Sequence, residues 1–183
     1  MEEKKPAKGQ KTRPARPGRR RLLVTGLMVA VTAAALVGYW AFRAAADLPG
    51  VKLPDLGNAH IQLATDPHVP YNSEPPTSGP HLPYIAPWGI HTEPIRDELQ
   101  VHNLEDGGVM VQYHCASPCP ELQAKLTEIV RRYETQVILA PYPGMRTRIA
   151  LTAWTRLDAF DDFDEARIVR FIRAYRGIDH HKG

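Results

Sequence analysis

Between Val101 and Pro120 the sequence VHNLEDGGVMVQYHCASPCP sets His102, Met110, His114, Cys115 and Cys119 around one short apolar run. Imidazole, thioether and thiolate are the donor types that soft or borderline metals such as copper prefer. Cys115 and Cys119 are also the only two cysteines of the chain. Four residues apart, they are open to three uses: metal ligation, thiol–disulfide exchange, or a small structural bridge. Pro120 suits the first position of a helix, which puts Cys119 at its N-cap, where the helix dipole favours a thiolate. Met110 and Met145 sit in apolar surroundings and read as core rather than as sulfur ligands.

Two further segments carry histidines in unusual settings. In PPTSGPH (75–81) the paired prolines stiffen the approach and Gly79-Pro80 makes a turn, so His81 is presented with little entropy left to lose. The blander use of His81 is packing against Trp88 or bonding a nearby carbonyl. In HNLEDGGV (102–109) the imidazole of His102 precedes Glu105 and Asp106, either of which can stand behind an imidazole and fix which ring nitrogen is free. Read without chemistry, the same stretch is an Asp-Gly turn feeding a strand.

These two signatures, followed by a strand, a helix, a PYPG turn and an IALTAW strand behind an apolar N-terminal segment, resemble a bacterial family of unknown function, domain family 3105, over about residues 66–176. The resemblance implies a membrane-anchored extracytoplasmic domain without an established activity. Its histidine-bearing signatures imply a metal site that maps onto His81 and His102. The family pattern HNLEHGG has a second histidine where this chain has Asp106, a harder oxygen donor. The HCASPCP stretch (114–120), a strand running into C-x3-C-P and a helix, is similar over those few residues to copper chaperones of the Sco type.

The elements that must position these residues are legible from hydrophobic spacing. Val109–Tyr113 is a short β-rich run, and Leu122, Leu126, Ile129, Val130 and Tyr133 recur at helical intervals over 120–135. Strands are predicted over 136–140 and 148–154, separated by the 141–144 turn. A last helix over 164–176 buries Ile168, Phe171, Ile172 and Tyr175, with Arg167, Arg170, Arg173 and Arg176 on its solvated face. Ten of the 17 prolines fall between Leu48 and Pro94. That density forbids long helices and central strands, so the segment is read as a wrap with one short edge strand near His60–Ala64. His60, His68 and His91 in that wrap have no assignable role. The fold class is α+β, a small mixed sheet with two packed helices and a long proline-rich wrap.

Residues 1–21 hold nine Lys/Arg against two Glu, and Leu22–Phe42 runs without a charge. At 1.5 Å per residue the uncharged run spans roughly 30 Å, a bilayer core. Tyr39 and Trp40 sit near its far end and Arg19–Arg21 before it, which orients the amino terminus to the cytoplasm. A cleaved signal peptide is the rival, with Ala44-Ala45-Ala46 as cleavage site, but its apolar core is normally about 7–15 residues. With the basic segment and Arg43 set aside, residues 47–183 carry −5 within a chain of +3. The basic balance therefore reports topology and attraction to anionic inner-leaflet lipid, and nucleic acid is not an expected partner. The expected organisation is a disordered basic cytoplasmic segment (1–21), a transmembrane helix (22–42), a linker (43–65), an extracytoplasmic domain (66–177) and a flexible tail (178–183).

Taken together, these features lead us to expect a single-pass protein of the bacterial cytoplasmic membrane that binds a transition metal through His81, His102, His114, Cys115 and Cys119. Glu105 and Asp106 would support the imidazoles. Copper is the expected ion, with zinc the alternative, and the role is delivery or sequestration rather than catalysis, with a copper-accepting protein as partner. Two other functions stay open: a thiol–disulfide oxidoreductase using Cys115 and Cys119, and an accessory subunit of a membrane complex.

Overall fold

The structure, a computed structural model, describes residues 18–46 and 48–181. The basic segment expected to be disordered lies mostly outside those residues. The chain divides into two units, Met1–Asp47 and Leu48–Gly183. The first holds helix α1 (Arg19–Ala46), whose apolar stretch Leu23–Trp40 is long enough to cross a membrane.

The second unit is α+β. Its elements run β1 (Val51–Lys52), β2 (Gly89–Ile90), α2 (Asp97–Glu105), β3 (Val109–Tyr113), α3 (Pro120–Val130), β4 (Val137–Pro141), β5 (Ile149–Ala153), β6 (Arg156–Phe160) and α4 (Glu165–Tyr175). One mixed sheet takes the order β1-β6-β5-β3-β4-β2. The centre is β3, parallel to β4 and antiparallel to β5. All five of its residues are buried, as a strand covered on both faces requires.

The period of two sorts its side chains. Val109, Val111 and Tyr113 face α3 and α4, with Leu126, Ile129, Phe171 and Ile172 in the same core. Met110 joins Ile138, Ala140 and Trp154 on the other face, under Val101 and Leu104 of α2 and Ala86 of the wrap. The helices α3 and α4 begin as the sequence predicts, with Pro120 in the first turn after Cys119 and Asp164 capping the amide of Arg167.

Three features depart from the sequence reading. The region 43–65 contributes β1, paired with β6, and so is partly built into the folded unit. The expected edge strand near His60–Ala64 is a single parallel bridge between His60 and His81. HNLE is helix rather than turn: it forms the last part of α2, and the expected Asp106-Gly107 turn follows it and leads through Gly108 into β3. That helix was hidden because its apolar positions are few, and its burial depends on the wrap above it.

Candidate metal centre

The site grows from three chain segments brought to the start of β3. In the wrap, residues 56–61 are stitched along 78–81. The Ser78 hydroxyl accepts from the Leu56 amide at 3.1 Å, Gly79 N–H donates to the Gly57 carbonyl at 3.0 Å, and His81 N–H donates to Ala59 at 3.0 Å. This register sets His60 beside His81, with ring centroids 5.0 Å apart. From α2, His102 and Glu105 are three residues apart and so project from one face of the helix.

Each residue of HNLEDGG then has its own task. Asn103 accepts from the Ala86 amide and donates to the Ala86 carbonyl, both at 2.9 Å, which clamps the wrap to α2. Leu104 is core. A Cβ on Gly108 would lie 2.7 Å from the Trp88 ring, and one on Gly107 would lie 2.8 Å from the backbone of Ile178. Gly107 also has φ +75°, where a side chain is strained.

His60, His81, His102 and Glu105 each offer a donor atom, and those atoms all lie within 4.8 Å of one another. Such a group can hold a metal ion. The histidines are oriented from behind: His81 Nδ1 lies 2.7 Å from the Gly79 carbonyl and His102 Nδ1 lies 2.8 Å from the Leu82 carbonyl. A carbonyl only accepts, so both Nδ1 atoms carry the proton and both Nε2 atoms are left to the cluster. The His102 ring is 5.0 Å from His81 and 5.1 Å from His60, centroid to centroid. Trp154 closes one side, edge-on to His81 at 6.2 Å.

Glu105 Oε1 accepts from Asn58 at 2.6 Å, and Oε2 lies 2.9 Å from His81 Nε2 and 3.7 Å from His60 Nε2. Burial holds the His81 imidazole below its ordinary pKa, against the pull of the Gly79 carbonyl and Glu105. Burial would raise the Glu105 carboxyl, but the Asn58 amide and, when the rings are protonated, the charges of His81 and His181 outweigh it and the net direction is down. A neutral His81 with its proton on Nδ1 and an ionised Glu105 place two lone pairs face to face. Such a contact is favourable only with a cation between the two atoms, either a proton or a metal ion. Two donors each about 2.1 Å from one ion stand about 3 Å apart at the right angle of a square site and about 3.4 Å apart at the tetrahedral angle, so the 2.9 Å spacing lies nearer the former.

A second group, His102, Asp106 and His181, satisfies the same distance condition at the edge of the first. The segment after α4, expected to fray, is docked there. Gly177 N–H donates to the Gly107 carbonyl and His180 N–H to the Glu105 carbonyl, both at 2.8 Å, and His180 stacks on Trp154.

The five expected ligands therefore divide. His81 and His102 converge. His114, Cys115 and Cys119 follow the far end of β3, and that five-residue strand alone spans roughly 16 Å. The cysteines form a disulfide with Cα atoms 6.2 Å apart, packed against the α3/α4 core, so they present no thiolate. Glu105 faces into the cluster instead of standing behind a ring, since backbone carbonyls hold the Nδ1 atoms. Asp106 belongs to the outer group, 3.7 Å from His102 Nε2. Sequence reasoning missed His60 and His181. Nothing local marks either one, and only the bridge to His81 and the fit of the last segment on Gly107 bring them in.

No curated protein and no solved structure matches the chain. Its family is nonetheless plain: over residues 62–182, a stretch that holds His81, His102, Glu105, Asp106 and His181 but not His60, the chain belongs to the family described as Protein of unknown function (DUF3105).

Proposed function

We propose that this protein binds a divalent transition-metal ion through His60, His81, His102 and Glu105 and holds it for delivery or sequestration. The observation that carries the reading is the facing pair of His81 Nε2 and Glu105 Oε2 at 2.9 Å, with the proton of His81 committed to a carbonyl on the other side of the ring. With both cysteines in a disulfide, the donors are nitrogen and oxygen only. That set suits copper(II) or zinc rather than copper(I), and among divalent ions copper binds such donors most tightly.

In this reading α1 is a retained anchor, with Arg19–Arg21 on the cytoplasmic side and the folded unit outside the membrane. The charge placement around Leu23–Trp40 supports that orientation, and the Cys115–Cys119 disulfide suits an oxidising compartment. The partners are then the bilayer and a metal-accepting protein.

The test is metal content and a competition titration on the full chain purified in mild detergent and offered Cu2+ and Zn2+ separately. The wild type retains one ion, while His81→Ala and, independently, the nearly isosteric Glu105→Gln lose most of the affinity. A wild-type chain that keeps neither ion above the buffer background overturns the reading.

A further inference from the structure

We propose that His102, Asp106 and His181 form an entry station, a second and weaker site through which the divalent ion reaches and leaves the buried set. The inference rests on the metal reading above and concerns how that site is loaded.

Of the inner donors His60 is 42% exposed, but the two that face each other are closed to solvent. The side chains of His81 and Glu105 are 0% and 1% exposed, whereas those of Asp106 and His181 are 31% and 44% exposed. Asp106 Oδ1 lies 3.7 Å from His102 Nε2 and 3.7 Å from His181 Nε2, so one carboxylate oxygen sits between two imidazole nitrogens at the rim.

The outer group is built rather than draped. Asp179 Oδ1 accepts from both the amide and Nδ1 of His181, at 2.8 Å each, which turns the Nε2 lone pair inward. The docking of Gly177 and His180 fixes the backbone leading into His181. His181 Nε2 is also 3.5 Å from Glu105 Oε2, so the rim and the buried set are one step apart.

His102 belongs to both groups but has one free nitrogen, because Nδ1 is committed to the Leu82 carbonyl. A single Nε2 lone pair cannot bind two ions. The two groups are therefore alternative positions for one ion, with His102 as the ligand kept throughout the transfer. Three donors at the rim hold the ion less firmly than four inside, and Asp106 adds negative charge where the cation arrives.

A station on the path changes rates of loading and release by the same factor and leaves the equilibrium constant alone. The experiment is stopped-flow mixing of the full chain in detergent with Co2+, whose visible absorption reports nitrogen and oxygen coordination, followed by release into a chelator. His181→Gln is expected to slow both association and dissociation about tenfold with Kd unchanged, and Asp106→Asn, which also takes a charge from beside the held ion, to slow association at least as much. Unchanged rates would mean that the ion passes His60 directly, and would overturn the proposal. So would a raised Kd with association unchanged, which would make these residues part of the holding site. A wild-type chain that takes up none of Co2+, Cu2+ and Zn2+ removes the metal reading itself, and this inference with it. One that holds Cu2+ or Zn2+ but not Co2+ is followed by the same mixing experiment with Cu2+ or Zn2+ in competition with a coloured chelator.

Discussion

The two ends of β3 invite comparison because each carries residues capable of chemistry. Ahead of Val109 the chain assembles imidazoles and carboxylates from the wrap, from α2 and from the segment after α4. Beyond Tyr113 it places His114, Cys115 and Cys119 within a few residues of one another. The first end converges from afar and is largely buried; the second is local, half-exposed and closed by a disulfide. Density of reactive residues along the sequence marked the second end. Density in space belongs to the first.

The largest effect expected from this contrast is at the ligands. Glu105→Gln keeps the shape of the side chain but removes the charge, and should weaken metal binding about 100-fold, or about 2.7 kcal/mol, in a competition titration. The double change Cys115→Ser, Cys119→Ser should leave that affinity where it was. Its effect belongs to folding instead, a loss of about 2 kcal/mol in denaturant unfolding, as expected for a bridge closing so short a loop. A fall in metal affinity in the cysteine variant would erase the distinction between the two ends.

Acid should act on the histidine end next. The folded domain holds His81 below 6.5, chiefly through burial, and holds Glu105 below 4.5 because its bonded partners outweigh burial. The unfolded chain therefore binds protons that the folded one refuses, and stability falls as pH falls. The His81 contribution is complete above pH 6.5 and is lost from there down toward its folded pKa; that of Glu105 starts to go only below 4.5. His180, lowered chiefly by burial, adds to the slope, and His181, raised chiefly by its bond to Asp179, opposes it. Unfolding of the metal-free protein between about pH 7.5 and about pH 5.5 should show a slope of at most about 1.4 kcal/mol per pH unit for the His81 proton. His81→Gln should flatten it.

How far the sequence could be read follows the same division between local and distant. Strands β3, β4 and β5 and helices α3 and α4 were legible because their apolar residues recur at periods of 2 or 3.6 within a few turns of chain. Strand β6 was not: RLDAF alternates only weakly, and its partner β5 supplies the register. Helix α2 was missed because its buried face includes Gln100, His102, Asn103 and Glu105, polar residues that a hydrophobic pattern counts as exposed. Of the site, His81 and His102 were visible through their stiff or glycine-flanked settings. His60 could not be found, since its place depends on amide bonds between residues 57–61 and 79–81.

Gly107 tests whether the outer group can be separated from the inner one. Its φ of +75° costs a side-chain-bearing residue about 1 kcal/mol, and a methyl there would meet the backbone of Gly177 and Ile178 at 2.8–2.9 Å. The strain cannot be relieved by a rotamer, because the atoms in the way are main chain, so Gly107→Ala should push the last segment off its seat. The bond from Gly177 N–H to the Gly107 carbonyl goes with it, and His181 loses its fixed approach to Asp106. His60, His81, His102 and Glu105 are held by other bonds: the stitched wrap, the Asn103 clamp, and the Gly79 and Leu82 carbonyls. The variant should therefore unfold about 1 kcal/mol more easily, with its metal affinity intact and hydrogen exchange raised at the amides of Gly177 and His180. If affinity falls as far as in Glu105→Gln, the last segment helps to hold the ion, and rim and interior form a single site.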